Sequence, residues 1–418
     1  MAERNRVVIT GLGLVTPIGN TVRDTWAALL EGRSGGAPIT QFDAHDGFSV
    51  RFACEVKGFN PAEHLDRKEA RRTDRFAQFA IAASDQALEQ SDLLSFEGLD
   101  TDRVGVIIGS GIGGIGTFED QARTMFERGP KRISPFFIPM FILDIASGLV
   151  SMRHGLRGPN YATVSACASS AHAIGDAVRV LQRGEADAMI GGGAEATVTP
   201  MTLAGFAAMH ALSTRNESPQ TASRPFDATR DGFVLGEGAG AVILETLEHA
   251  RGRGARILGE VAGFGQTADA YHLTAPAPGG AGAQLAMRGA LDDAGLELVQ
   301  IDYVNAHGTS TPANDLNETL AIKAVFGDHA YGLVVGSTKS MTGHTLGAAG
   351  AVEAVICALV CQNGVIPPTI NFTEADPACD LDYAHDGVRE RPVRAAISNS
   401  FGFGGHNACV VLRRWDED

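Results

Sequence analysis

Val164-Ser165-Ala166-Cys167-Ala168-Ser169-Ser170-Ala171-His172-Ala173-Ile174-Gly175-Asp176-Ala177-Val178 is a coil of small residues that runs into a small-residue helix, with a cysteine near the junction. The helix is expected to end near Gln182-Arg183-Gly184, and a second stretch repeats the plan: after His344 an Ala/Gly-rich apolar helix covers residues 347–361 and stops at Asn363-Gly364. A further correspondence precedes each. Gln86-Ala87-Leu88-Glu89-Gln90 closes a helix before the strand Asp102-Arg103-Val104-Gly105-Val106-Ile107-Ile108, which ends in Gly109-Ser110-Gly111. Gly289-Ala290-Leu291-Asp292-Asp293 closes another before Asp302-Tyr303-Val304-Asn305-Ala306, which leads into His307-Gly308-Thr309. Alternating strands and helices in this order predict an α/β protein of two similar halves. The first half, 1–255, carries the cysteine, and the second, 256–418, carries the histidines. The seam is placed at residues 248–257, where Arg251-Gly252-Arg253-Gly254 breaks the pattern. Loops from both halves would then meet at one crevice.

A thiol at a helix N-terminus faces unpaired N–H groups and the positive end of the macrodipole, which favour thiolate. Cys167 is therefore read as a nucleophile, with the glycine-flanked His307 and His344 as its partners. Glycine is abundant, at 51 of 418 residues, and many glycines fall beside these three residues, where close backbone approach is needed. The net charge of -15 argues against general nucleic-acid binding. The six cysteines form neither zinc-type pairs nor a small disulfide framework, and Cys357 and Cys361 read as packing on an apolar helix. A reducing cytoplasm is the expectation from this cysteine pattern, and the first residues run into the strand Val7-Val8-Ile9-Thr10 without the long apolar region of a signal peptide. The most apolar stretch is read at residues 136–150, broken by Pro139 and Asp144 and too short to span a bilayer.

A series of ordered motifs carries a family resemblance: Val8-Ile9-Thr10-Gly11-Leu12-Gly13, Ser223-Arg224-Pro225-Phe226-Asp227, Asn305-Ala306-His307-Gly308-Thr309-Ser310-Thr311-Pro312, Ser337-Thr338-Lys339-Ser340-Met341-Thr342-Gly343-His344 and Asn399-Ser400-Phe401-Gly402-Phe403-Gly404-Gly405. From Arg6 to about Val411 the chain resembles the β-ketoacyl-acyl-carrier-protein synthases, most closely the elongating enzymes of bacterial fatty acid synthesis. The resemblance implies a five-layered αβαβα thiolase-type fold and a homodimer. It also implies a decarboxylating Claisen condensation: an acyl chain is loaded on Cys167, joined to malonyl-acyl-carrier-protein, and released as 3-oxoacyl-acyl-carrier-protein with CO2. The partner is acyl carrier protein, acyl- or malonyl-loaded, and neither a metal nor an organic cofactor is implied.

Carried over residue by residue, His307 and His344 donate from Nε2 to the malonyl thioester oxygen, and the amides of Cys167 and Phe401 form the oxyanion hole, with the Phe401 ring as gatekeeper. Lys339 pairs with Glu353 and tunes local charge rather than transferring protons itself. Ile112, Phe206, Phe403 and, from a partner subunit, Phe137 are expected along the acyl pocket. Thr309, Thr311 and Thr274 are expected at the phosphopantetheine arm, and Lys68, Arg71, Arg72, Lys131 and Arg132 match carrier-docking positions. Arg75 is read as a solvated charge, and His210 stands where the family often has arginine. Met140-Phe141-Ile142-Leu143 is bulkier than the resemblance leads one to expect, which leaves chain-length preference open. Three alternatives remain: a ketosynthase of a dissociated polyketide synthase, a thiolase using Cys409 as second cysteine, and a non-catalytic chain-length-determining subunit. The setting of Cys409 reads as a strand, against the second, and retention of Cys167, His307, His344 and Lys339 speaks against the third.

Overall fold

The computed structural model describes residues 4–45 and 47–416. Its principal sheet has ten strands. In the first half these are β1 (Val7–Val15), β2 (Val104–Gly109), β3 (Asn160–Tyr161), β4 (Ala188–Glu195) and β5 (Gly238–Thr246). In the second they are β6 (Gly259–Ala268), β7 (Tyr303–Asn305), β8 (Val334–Gly336), β9 (Ala395–Gly402) and β10 (His406–Arg413). Their spatial order is β8-β7-β9-β10-β6-β1-β5-β4-β2-β3, a sequence that mirrors itself about the β6–β1 contact. In each half the first strand pairs antiparallel with the last, and the third, second and fourth strands in spatial order run parallel to one another. Only two residue pairs, Val8↔Glu260 and Ile9↔Gly259, join the halves across β1 and β6.

Four helices complete the layers. The outer helix α1 (Arg75–Ser91) packs on β1, β4 and β5, and its counterpart α3 (Ala281–Ala294) packs on β6, β9 and β10. Between the two halves of the sheet lie α2 (Ser169–Gln182) and α4 (Ala349–Asn363), which touch each other and strands of both halves. Outer helix, strands, paired central helices, strands and outer helix make the five layers of the thiolase-type fold. Alternation along the strands supplies both interfaces. Val242 and Leu244 of β5 face the central core while Ala239, Ala241 and Ile243 face α1, and in β10 Val410 and Leu412 face inward while Cys409 and Val411 face α3.

The sequence placed the most apolar stretch at 136–150. Among the described residues the helix long and apolar enough to cross a membrane is a different one, Leu346–Asn363, and 89% of it is buried inside the protein. An apolar helix covered on all sides is a core element.

Candidate active site

Cys167 lies in the turn Ala166–Ala168, directly ahead of α2. Ala166 has a φ of 51°, costly for a residue with a Cβ, and the turn is held by Ser169 Oγ donating to the Ala166 carbonyl at 2.7 Å. On the opposite side β9 ends at Gly402, where a Cβ would stand 2.6 Å from Ser165 O and 3.1 Å from Cys167 N. Only glycine lets the strand end come so near. As a result the N–H groups of Phe403 and of Cys167 itself both face Sγ.

This corrects the assignment of that amide to Phe401. Phe401 is paired with Asn407 in the β9–β10 ladder, and its ring lies 5.7 Å from the His307 ring. Phe403 is one residue beyond the strand, and its ring meets that of Phe206 at 6.4 Å. The residue freed from the ladder is the one whose amide faces the sulfur.

The histidines arrive from the second half. His307 follows β7, and its N–H and that of Gly308 each donate to the Glu318 carboxylate at 2.8 Å. The His344 backbone is clasped by the neighbouring chain: its N–H donates to Val234 O at 2.7 Å, and its carbonyl accepts from Gly236 N at 2.9 Å. The two rings stand nearly perpendicular with centroids 5.3 Å apart, and His344 Nε2 is 3.0 Å from Cys167 Sγ. Behind them Lys339 Nζ contacts Glu353 Oε1, both side chains 2% exposed. That is the pair named from the sequence.

A cavity of about 540 Å³ opens here. Cys167, His307, His344, Ile112, Phe206, Phe401, Phe403, Thr274, Thr309 and Thr311 all line it, as does the exposed His210. The Thr309 and Thr311 hydroxyls are 3.0 Å apart, and Thr274 is exposed on a loop whose His272 Nδ1 accepts from the Thr274 N–H at 3.1 Å. Phe137 is not among the lining residues of this chain; it packs with Phe118 and Phe141 on the helix Phe137–Phe141. Cys409 is buried in β10 with its thiol on Asn399 Oδ1, away from the cavity, as a strand residue should be.

Lys68, Arg71, Arg72, Lys131 and Arg132 are exposed, and the Arg72 guanidinium lies 4.2 Å over the Phe136 ring, which brings the two basic clusters side by side. Arg75 is not a solvated charge. It donates to the fully buried Glu237 carboxylate at 2.7 Å and covers the Phe79 ring, because α1 turns it inward.

Two acids carry the loops of the site without having been singled out in the sequence. Glu318 holds the His307 loop, and Glu195 holds the turn after β2; Glu195 is an isolated acid among small residues, a signal that could have found it, whereas Glu318 lies in the polar run Asn314-Asp315-Leu316-Asn317-Glu318 and carries none.

Burial decides the electrostatics. It pushes the Cys167 thiol up to about 12, against the nearby Lys339 cation, which favours thiolate. Burial thus favours the neutral thiol, opposing the pull of Lys339 and of the helix terminus toward thiolate. Burial, reinforced by Lys339, holds His307 and His344 well below the usual histidine range, so both rings are neutral. Burial raises Glu318 to about 7 despite its N–H donors, and raises Glu353 against the pull of Lys339. Cys Sγ and the two His nitrogens lie within 4.8 Å of one another, a donor set that also suits a soft metal ion.

A thiol with two neutral histidines, at the junction of a doubled α/β fold, defines a thiolase-type acyl-transfer centre. The profile of the beta-ketoacyl synthase N-terminal domain matches residues 4–250, and that of the C-terminal domain matches 258–373. A "3-oxoacyl-[acyl-carrier-protein] synthase 2" from Synechocystis sp. is 54% identical over 413 residues, 99% of each chain. Among solved structures, a beta-ketoacyl synthase from Burkholderia phymatum superposes with a TM-score of 0.91 at 37% identity, covering 99% of this chain and 100% of that one. A type II PKS ketosynthase in complex with its acyl-carrier protein gives 0.90 at 34% identity, with the same coverage. The chain belongs to the beta-ketoacyl synthase family.

Proposed function

We propose that Cys167, His307 and His344 carry the reaction of this acyltransferase, the elongating condensation of fatty acid synthesis. The observation that supports it most is the 3.0 Å approach of His344 Nε2 to Cys167 Sγ inside a mostly apolar cavity. In the first half-reaction Sγ loses its proton to water, attacks the acyl thioester and expels the pantetheine thiolate, which takes up a proton. The developing charge on sulfur is met by the Nε2–H of His344 and the amides of Cys167 and Phe403. In the second, the malonyl thioester oxygen accepts from the Nε2–H groups of His307 and His344. The bond to the carboxylate breaks, CO2 leaves, and its electron pair forms the enolate. The enolate carbon attacks the acyl carbonyl, whose oxygen sits at the two amides. Collapse breaks the C–S bond, and the returning thiolate is protonated. Neutral imidazoles suit this work, since each must donate without adding a buried charge.

The basic pair of clusters around Arg72, Lys131 and Arg132 is read as the docking face for an acidic carrier, and Thr274, Thr309 and Thr311 as contacts of its pantetheine arm. A homodimer is supported by the apolar surface left by Phe126, 88% exposed, together with Met125, Ile138 and the exposed edge strand β3. The mirrored strand order supports a division into halves at 1–255 and 256–418, and six unpaired cysteines support a cytoplasmic location. The polyketide reading stands second, at 34% identity against 54%.

Intact-protein mass after mixing with a panel of acyl carrier proteins, then malonyl carrier protein, tests the proposal. A gain that is absent in Cys167→Ala, and that discharges as a product two carbons longer, supports it. A folded protein that no carrier acylates overturns it.

A further inference from the structure

The two halves build the same elbow twice. Ala166, with φ 51°, opens the turn Ala166–Ala168 into α2, and Leu346, with φ 48°, opens the turn Leu346–Ala348 into α4, so Gly347 occupies the place in the second half that Cys167 has in the first. The strands facing the elbows also correspond. β9 ends at Gly402, which has no side chain to set against the Cys167 amide. β4, its counterpart, ends at Glu195, whose carboxylate fills the matching space at the Gly347 amide, accepting from it at 2.9 Å.

Glu195 does more than close that elbow. Its side chain is fully buried, and its two oxygens also accept from Ser110 Oγ at 3.0 Å and from the N–H groups of Gly111, Ile112 and Gly113 at 2.7, 3.1 and 3.3 Å. The donors belong to both halves, so a single carboxylate ties the turn after β2 to the turn before α4. Gly111 and Gly347 crowd it so closely that a Cβ on either would lie 2.8 or 2.6 Å from Oε2. Beyond these glycines, Ile112 and Leu346 form walls of the cavity beside Cys167 and join Phe206 in one apolar cluster.

We propose that Glu195 is a positioning residue for acyl specificity: by clamping residues 110–113 to the second elbow it fixes the two walls, Ile112 and Leu346, between which a bound acyl chain extends. This rests on the reading of Cys167 as the acylated residue. A longer chain buries more of its methylenes against those walls than a short one, so it depends more on how they are held.

The test compares kcat/KM of the full-length enzyme for four-carbon and about twelve-carbon acyl carrier donors. Glu195→Gln, which sets an NH2 group against N–H donors, is expected to lower the long-to-short ratio about tenfold. Glu195→Asp keeps the anion and is expected to recover part of the ratio. Ser110→Ala removes one donor outside the cavity wall and is expected to shift the ratio several-fold in the same direction, a comparison that holds if Glu195→Gln does not fold. Equal losses at both lengths, or an unchanged ratio in folded variants, overturns the proposal. Failure of the unmodified enzyme to accept either donor counts against the Cys167 reading instead.

Discussion

His344 Nε2 stands 3.0 Å from Cys167 Sγ, and burial leaves both groups uncharged: the thiol is raised to about 12 and the imidazole is held well below its usual range. The resting pair is therefore thiol and imidazole rather than thiolate and imidazolium. With the thiol so far above neutrality, the thiolate fraction grows about tenfold per pH unit. Iodoacetamide labelling of Cys167, followed by mass, is expected to accelerate about tenfold with each pH unit from pH 6 to 9, about a thousandfold in all. A plateau near neutrality would contradict the neutral resting thiol.

His307 and His344 differ in reach. Only His344 has a hydrogen bond to Sγ, while the His307 ring lies against Phe401. His307→Ala is expected to retain acylation within about threefold and to lose condensation by about 10²–10³. His344→Ala is expected to lose both. Single-turnover acylation and release of CO2 from labelled malonyl carrier separate the two steps.

Lys339, on the short helix Lys339–Thr342, and Glu353, on α4, are a buried pair. Lys339→Ala strands the carboxylate and is expected to cost about 3–5 kcal/mol in urea unfolding. Combining Lys339→Met with Glu353→Gln should recover most of that loss while condensation remains impaired.

Glu318 is raised to about 7 from an ordinary 4.5, so the folded protein binds its proton more tightly than the unfolded chain does. Its contribution is present in full below about pH 4.5 and is lost as pH rises through 7. Between pH 6 and 8 that loss is about 1 kcal/mol. Thermal unfolding of Glu318→Gln should show a correspondingly smaller fall across this interval.

Lys131→Glu with Arg132→Glu is expected to raise KM for the acyl carrier substrate about tenfold and flatten its salt dependence, leaving a small acyl thioester unaffected. Equal loss on both substrates would argue against a docking role.

The repeated order of strand, loop and helix was legible because it is written in periodicity. Strands over 104–109 and 303–305, helix ends near 91, 182 and 363, and the pairing of the Cys167 and His344 loops all stand where the pattern puts them. Arg75 illustrates the limit. Its neighbours Lys68, Arg71 and Arg72 are exposed and it is not, because its partner Glu237 lies 162 residues away in sequence. No local rule separates it from the run it belongs to.

The sequence by itself determined the doubled α/β plan and singled out Cys167, His307 and His344, since these depend on residue type in a local frame of glycines and small residues, while Lys339 came from the family resemblance. The tertiary structure alone decided which aromatic amide faces the sulfur, Phe403 just past the end of β9 rather than Phe401 within its ladder. It also decided that the thiol rests neutral and that Glu195 and Glu318 hold the loops of the site. These outcomes follow from desolvation and from contacts between segments far apart in the chain, 152 residues in the case of Glu195 and Gly347, and both quantities come into being only when the chain closes on itself.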